Sequence, residues 1–215
     1  MENQPPLDEL RKIRSLMERS TIYHSLSGLS GIAAGIIGVI VYAVVYGMID
    51  PMVEKSPEMK YSDAGQWYLI KIYFAASIVC LVLSFSAIYF FNLMKARRNE
   101  LPFLEPAMKK MFLNLFIPLI AGGIYVLMLV REKEFLLIPP TMLIFYGLAM
   151  IQASRHTIIE IRYLGIVELF FGLIGVFMKE YGMWFWLIGF GFVNILYGAW
   201  IYFRTERNVK IAGMK

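Results

Sequence analysis

Cysteine is nearly absent: Cys80 is the single one in 215 residues. One thiol forms no internal disulfide, no cysteine-rich metal site and no intramembrane CxxC redox centre. Histidine is scarce as well, with His24 and His156 alone, which leaves little for a histidine metal cluster. Charge is thin: Asp, Glu, Lys and Arg make up 17% of the chain and apolar residues 59%. A soluble globular domain carries roughly a quarter charged residues and about half apolar ones. A water-soluble fold is therefore close to excluded, and so is a disordered chain. No phosphate loop, dinucleotide fingerprint or metal-ligand spacing interrupts the apolar blocks, and no cofactor is implied.

What is present is hydrophobicity in long runs. Crossing roughly 30 Å of hydrocarbon takes about 20 apolar residues in a helix, because lipid cannot satisfy exposed backbone groups. Six stretches qualify: 25–49, 67–94, 111–130, 135–154, 163–178 and 184–203. The fifth is short as written and is expected to begin near Thr157, with Arg162 snorkelling to the interface. The second is long and should tilt or protrude. The first starts after 24 residues without a small-x-small cleavage site, so it reads as a retained span and not a signal peptide. The expected fold is all-α: a polytopic membrane protein with a bundle of six transmembrane helices over 25–203, between an amphipathic segment over 1–24 and a basic tail over 204–215.

Loop charge sets the expected orientation. Fifteen Lys and Arg residues fall on the side of both termini and five on the other, with Lys71 inside the second stretch. Both termini should face the cytoplasm of a bacterial-type inner membrane. Trp67, Tyr68, Trp184 and Trp186 mark the outer interface, and Tyr23, Tyr89, Tyr163, Trp200 and Tyr202 the inner one. The net charge of +5 is thus a topology signal. With no basic patch interleaved with aromatics on a soluble domain, it does not imply nucleic-acid binding.

Outside the spans, Leu7, Leu10, Ile13 and Met17 recur at helical spacing behind Pro5 and Pro6, which predicts a short amphipathic helix on the inner membrane face. The loop over 50–66 carries Pro51, Pro57 and Gly65 and is expected to be mostly irregular. The next loop, 95–110, places Lys95, Arg97, Arg98, Lys109 and Lys110 where anionic phospholipid heads would be attracted, beyond their topological role.

Small residues form faces suited to close helix contact: Gly28, Gly31, Gly35 and Gly38 in the first stretch, Gly172 and Gly175 in the fifth, and Gly189, Gly191 and Gly198 in the sixth. Within-chain packing is the default reading, and a homo-oligomer is the alternative. The glycines also repeat. Gly28, Gly35 and Gly38 match Gly165, Gly172 and Gly175 at an offset of 137; Tyr146 and Gly147 match Tyr197 and Gly198 at 51. Three parallel hairpin repeats would give this pattern, and so would chance in glycine-rich apolar strings.

Polar groups inside a bilayer are expensive and are functional candidates by default. Glu168 is the most exceptional, roughly 9 Å deeper than Arg162 at about 1.5 Å per residue. Asn194, Tyr197, Asn114, Gln152 and Asn92 all fall in the inner half or at its edge. The sharper reading joins them in a cytoplasm-facing proton or substrate site centred on Glu168. The plainer reading is a structural network, with Glu168 protonated or hydrogen-bonded to Asn194 and Tyr197. Lys71 can snorkel outward and is read as structural. Pro118 in the third span and Pro139 and Pro140 in the fourth could each open a kink, but such prolines are also common in inert membrane helices, which is the preferred reading.

Gly28, Leu29, Ser30 and Gly31 spell the GxSG string of rhomboid proteases. A serine nucleophile there needs a histidine at matching depth, and both histidines lie at span ends, so no intramembrane protease can be assembled.

Met17 to Ser20, the string SLSGLSG over 25–31, EIRYLG over 160–165 followed by Glu168, and GFGFVNILYG over 189–198 together resemble an uncharacterised family of small six-span bacterial inner-membrane proteins. That resemblance covers most of the chain and implies no activity. The last hairpin, with GLIGV, a short turn, Trp184 and a glycine-rich span, is similar to HdeD-like acid-resistance membrane proteins, which implies six spans arranged as hairpins. The leading expectation is a non-enzymatic scaffold or stress-associated membrane protein acting through packing with lipids, itself or partners. The alternative is a small-solute or proton carrier or channel using Glu168, Asn194, Tyr197 and Asn114.

Overall fold

The computed structural model describes residues 27–60, 62–98 and 106–207. The expected amphipathic helix over 1–24, residues 99–105 of the second loop and the tail from 208 onward lie outside the described residues. Among the described residues the chain is helical throughout, with no strand. Seven α-helices follow in order: α1 (Gly28–Lys55), α2 (Asp63–Arg98), α3 (Pro106–Arg131), α4 (Ile138–Ala153), α5 (Glu160–Phe177), α6 (Gly182–Trp186) and α7 (Asn194–Ile201). A π-helical segment, Leu187–Val193, joins α6 to α7 without a break, and a second, Tyr202–Arg207, continues α7. Gly182 to Arg207 is therefore one uninterrupted last helix.

Among the described residues five stretches are long and apolar enough to cross a membrane: Gly28–Lys55, Asp63–Lys95, Met108–Arg131, Phe135–His156 and Lys179–Arg204. The chain is thus an all-α, multi-pass membrane protein in contact with a lipid bilayer. Large apolar side chains such as Ile40, Phe74, Leu81, Ile117, Ile120, Ile124 and Leu196 point outward, as hydrocarbon permits and water does not. α5 differs. It has 18 residues and carries Glu160, Arg162 and Glu168, so length and composition alone do not qualify it as a span.

Helix ends depart from the sequence expectation in ways that local chemistry explains. α1 starts on Ser27, whose hydroxyl accepts from the Leu29 amide at 3.3 Å, the usual N-cap arrangement. The Ser27 amide donates to Asn92 Oδ1 at 2.8 Å in a buried contact, tying the start of α1 to the end of α2. The loop expected to be irregular over 50–66 is mostly helical. α1 runs past Pro51 to Lys55, one 3₁₀ turn covers Pro57–Lys60, and α2 begins at Asp63. The turn is tight because of Gly65: a Cβ there would stand 2.5 Å from the Met59 main chain. α2 has 36 residues, roughly 54 Å at about 1.5 Å each, longer than the hydrocarbon is thick.

Pro139 and Pro140 make no kink. They occupy the first turn of α4, after a 3₁₀ turn at Phe135–Leu137, where a missing N–H leaves nothing unpaired. Pro118 lies inside a continuous α3. α5 begins three residues later than expected, because Thr157 is extended (φ −143°, ψ −166°) and breaks the chain away from α4.

Neighbours follow a simple order. α1 packs on α2 and on the last helix, the last helix on α4 and α5, α4 on α5, and α3 on α4. α2 and α3 meet through long side chains. Phe85 stacks on Phe116 with centroids 6.1 Å apart, and Asp63 pairs with Lys133 at 2.5 Å just beyond α3.

Candidate functional site

Two interfaces of main chain against main chain hold the interior. On one, Gly28, Gly31 and Gly35 of α1 face the last helix. A Cβ at Gly28 would stand 2.5 Å from the Gly198 carbonyl oxygen, and one at Gly35 2.6 Å from that of Gly191 and 2.7 Å from Ile195 Cγ1. On the other, Gly165 and Gly172 of α5 face α4. A Cβ at Gly165 would stand 2.6 Å from the Gly147 oxygen, and one at Gly172 2.7 Å from Ile144 Cγ1. The two interfaces correspond residue for residue. Adding 137 to the α1 positions gives the α5 ones, and subtracting 51 from Gly191, Ile195, Gly198 and Tyr202 gives Pro140, Ile144, Gly147 and Ile151. The contacts seen from the opposite helices agree as well: Gly198 would meet Ile32 N, and Gly147 would meet Leu169 N. The remaining small-residue positions also pack inward, Gly38 against Phe190, Gly175 against Pro140 and Gly191 against Val39. These contacts lie within one chain.

The same register places one polar pair in the centre. Glu168 occupies the α5 position that corresponds to Gly31, and Asn194 the last-helix position that corresponds to Leu143. Glu168 is completely buried and Asn194 is 3% exposed. Asn194 Nδ2 lies 3.0 Å from Glu168 Oε1, 3.3 Å from the Phe190 carbonyl oxygen and 3.4 Å from that of Gly189. Its Oδ1 accepts from the Tyr146 hydroxyl at 3.1 Å. The reverse amide orientation would set three oxygens against a fourth, so the surroundings fix which way the side chain points. Tyr146 is held by ring packing on Phe190 at 5.1 Å, and Phe190 stacks in turn on Trp186 at 5.3 Å.

Close approach here depends on Gly189. A Cβ at that position would lie 2.5 Å from Glu168 Oε2 and 2.9 Å from Leu143 Cδ2. The π segment brings the Gly189 and Phe190 carbonyls to the amide of Asn194, and such segments recur where a helix bends its regular bonding around a site. Glu168 Oε2 has no hydrogen-bond partner. An ionised carboxylate left this way in an apolar interior is far more expensive than a single lost hydrogen bond.

The other candidates lie apart from this pair. Tyr197 lies one turn beyond Asn194, with its buried hydroxyl unpartnered and its ring edge-on to Trp200 at 5.5 Å. The expected bond from Tyr197 to Glu168 is not made. Asn114 donates back to the Lys110 carbonyl on its own helix at 3.0 Å, facing outward, and Gln152 is half-buried on α4 without a bond to the pair. Asn92 serves the start of α1. The single cytoplasm-facing cluster of these side chains is therefore not assembled. Its core of Glu168 and Asn194 is, joined by Tyr146, which in the sequence stands out only as part of a repeat. Past the cluster, Arg204 pairs with Glu160 at 3.0 Å and lies over the Trp200 ring at 5.5 Å, closing α5 onto the end of the last helix. Arg97, Lys109 and Lys110 are exposed.

Among the described residues no group of three or more His, Cys, Asp or Glu side chains comes together to hold a metal ion. No protein-family model, curated protein or solved structure matches the chain.

Proposed function

We propose a non-enzymatic integral membrane protein of six spans, a scaffold or stress-associated protein acting through packing with lipids, a second copy or partners. The observation that carries this reading is the complete burial of Glu168. A carrier site has to meet water on at least one side, and this carboxyl is sealed between α5, Leu143 and Gly189. It works as a fastener between helices. The outward apolar faces of α2 and α3 supply the surface through which such a protein acts. In this reading α5 is the sixth span. The two matched glycine interfaces support hairpin repeats, and the fifteen-to-five charge bias supports cytoplasmic termini in a bacterial-type inner membrane.

A second reading, a small-solute or proton carrier or channel with a cytoplasm-facing site around Glu168, draws on the unpartnered Oε2. Flux separates the two. In proteoliposomes, sodium or proton movement no greater than in empty vesicles supports the scaffold. Flux that Glu168→Gln abolishes overturns it. Topology is checked in a Cys80→Ser background with an impermeant maleimide on intact cells. Cysteines at 58 and 132 should label, and one at 109 should label after lysis alone. Cysteines at 155 and 180 flank α5, and labelling of both from the same side would remove the six-span arrangement.

A further inference from the structure

We propose that Glu168, Asn194, Tyr146 and the carbonyls of Gly189 and Phe190 form a buried site for one monovalent cation, a proton or a sodium ion. The argument begins with hydrogens. The Asn194 amide has two and faces three oxygens: Glu168 Oε1, Gly189 O and Phe190 O. The Tyr146 hydrogen is already taken by Asn194 Oδ1. Glu168 Oε2 receives none. Glu168 Oε2 is therefore left without a hydrogen, while the other oxygens gather round the Asn194 amide in an interior closed to solvent.

The neighbours do not make up that deficit. α4, α6, the π segment and α7 pack against α5 and contain no Asp, Glu, Lys, Arg or His. The titratable side chain they place at the pair is the Tyr146 phenol, and that of Tyr197 stands one turn away. Arg155 and His156 stand at one end of α5 with its own Glu160 and Arg162, and Lys179 and Glu180 stand at the other. One carboxylate with neutral oxygens balances one positive charge. A divalent ion would leave a net charge buried, so the stoichiometry selects a monovalent occupant.

The repeat supplies a second argument. Each member taken singly has an apolar counterpart in the opposite interface, Gly31 of α1 for Glu168 and Leu143 of α4 for Asn194, within matching main-chain contacts. Packing alone therefore does not call for a carboxyl and an amide in this position. The inference goes beyond the scaffold reading and stands or falls separately from it, since a cation can be held without being moved.

Infrared spectroscopy on purified protein at neutral pH tests it, in choline, potassium and sodium buffers. A proton occupant gives a carbonyl stretch of a neutral carboxylic acid in all three, lost in Glu168→Gln. A sodium occupant gives that band in choline and potassium, bleached by sodium. It also gives a melting temperature that rises with sodium and not with potassium, because a ligand of the folded state alone stabilises it. The melting series uses the wild-type chain and does not depend on the variant folding. Should Glu168→Gln fail to fold, Glu168→Asp carries the assignment through a shifted band. A wild-type spectrum with no neutral-acid band in any buffer, together with melting indifferent to sodium, overturns the proposal. So does a neutral-acid band that survives Glu168→Gln unchanged with sodium-indifferent melting.

Discussion

Gly198→Ala tests the interface of α1 with the last helix at its tightest point. The new methyl would stand 2.5 Å from the Ile32 nitrogen, 2.6 Å from the Gly28 oxygen and 2.9 Å from the Gly31 carbonyl carbon. All three are main-chain atoms of α1, and no rotamer can move them aside. Ordinary contact begins at 3.4 Å, so α1 has to retreat by about 0.9 Å, loosening Gly28, Gly31 and Gly35 together. Inserting a carbon into a packed interior costs about 1–3 kcal/mol, and a main-chain clash belongs at the upper end. Alanine recovers about 1 kcal/mol of helix propensity relative to glycine, leaving a net loss of about 2 kcal/mol. Gly123→Ala is the control. Nothing lies within 4 Å of its new carbon, so propensity alone acts, a gain of about 1 kcal/mol. The same chemical change at two glycines should therefore differ by about 3 kcal/mol, roughly a hundredfold in the unfolding equilibrium at about 1.4 kcal/mol per decade. Reversible unfolding in mixed micelles, read by the fluorescence of Trp184, Trp186 and Trp200, measures both. Gly147→Ala, at the corresponding place on α4, should follow Gly198→Ala. Equal stability of the Gly198 and Gly123 variants would refute the close packing on which the interior is built.

Asn194→Leu strips Glu168 of its one donor and should destabilise by about 1–3 kcal/mol; adding Glu168→Leu should restore part of that, as a double-mutant cycle reads. Equal effects of Glu168→Leu in both backgrounds would show the pair uncoupled. Asn92→Ala removes the buried acceptor of the Ser27 amide. It should lower stability by about 1–2 kcal/mol, and hydrogen exchange should quicken at the start of α1 before anywhere on α4. Asp63→Asn breaks an ion pair whose side chains are 50% and 79% exposed. It should change stability by under about 1 kcal/mol, and a larger loss that salt does not diminish in denaturant titrations would mean the pair is shielded.

Long apolar runs made the membrane class legible, because a run of that length has few other physical uses. Four of the six expected stretches, 67–94, 111–130, 135–154 and 184–203, lie within segments that qualify as spans, and 25–49 overlaps a fifth from Gly28 onward. The stretch at 163–178 formed a helix, yet the charges that drew attention to Glu168 also keep α5 outside a simple length-and-composition test. Glu168 and Asn194 stood out as polar residues in apolar surroundings, and they meet. Tyr146 did not stand out, since a tyrosine in an apolar helix is ordinary; its match to Tyr197 at an offset of 51 was the available signal. Asn114 drew the same attention as Asn194, but spacing cannot tell an amide that bonds its own turn from one that crosses to another helix. The π segment left no mark in composition, because its register is set by tertiary contact at Gly189 and Gly191. Glycine spacing carried more than any motif: the 137 and 51 offsets, as compatible with chance as with repetition on letters alone, reappear as matched atomic contacts.

The contrast between the glycine interfaces and the meeting of α2 with α3 has a mechanical consequence. A contact of backbone on backbone has one width, since nothing in it can rotate. A contact made by the rings of Phe85 and Phe116 changes width whenever a ring turns. Lateral pressure from the bilayer acts around the whole circumference of the bundle, but it meets stiff joints at α1 with the last helix and at α4 with α5. Strain imposed from the lipid therefore collects between α2 and α3. Membrane tension or thickness would be felt by this fold as the opening of a single edge, with the glycine-packed interior around Glu168 shielded from it.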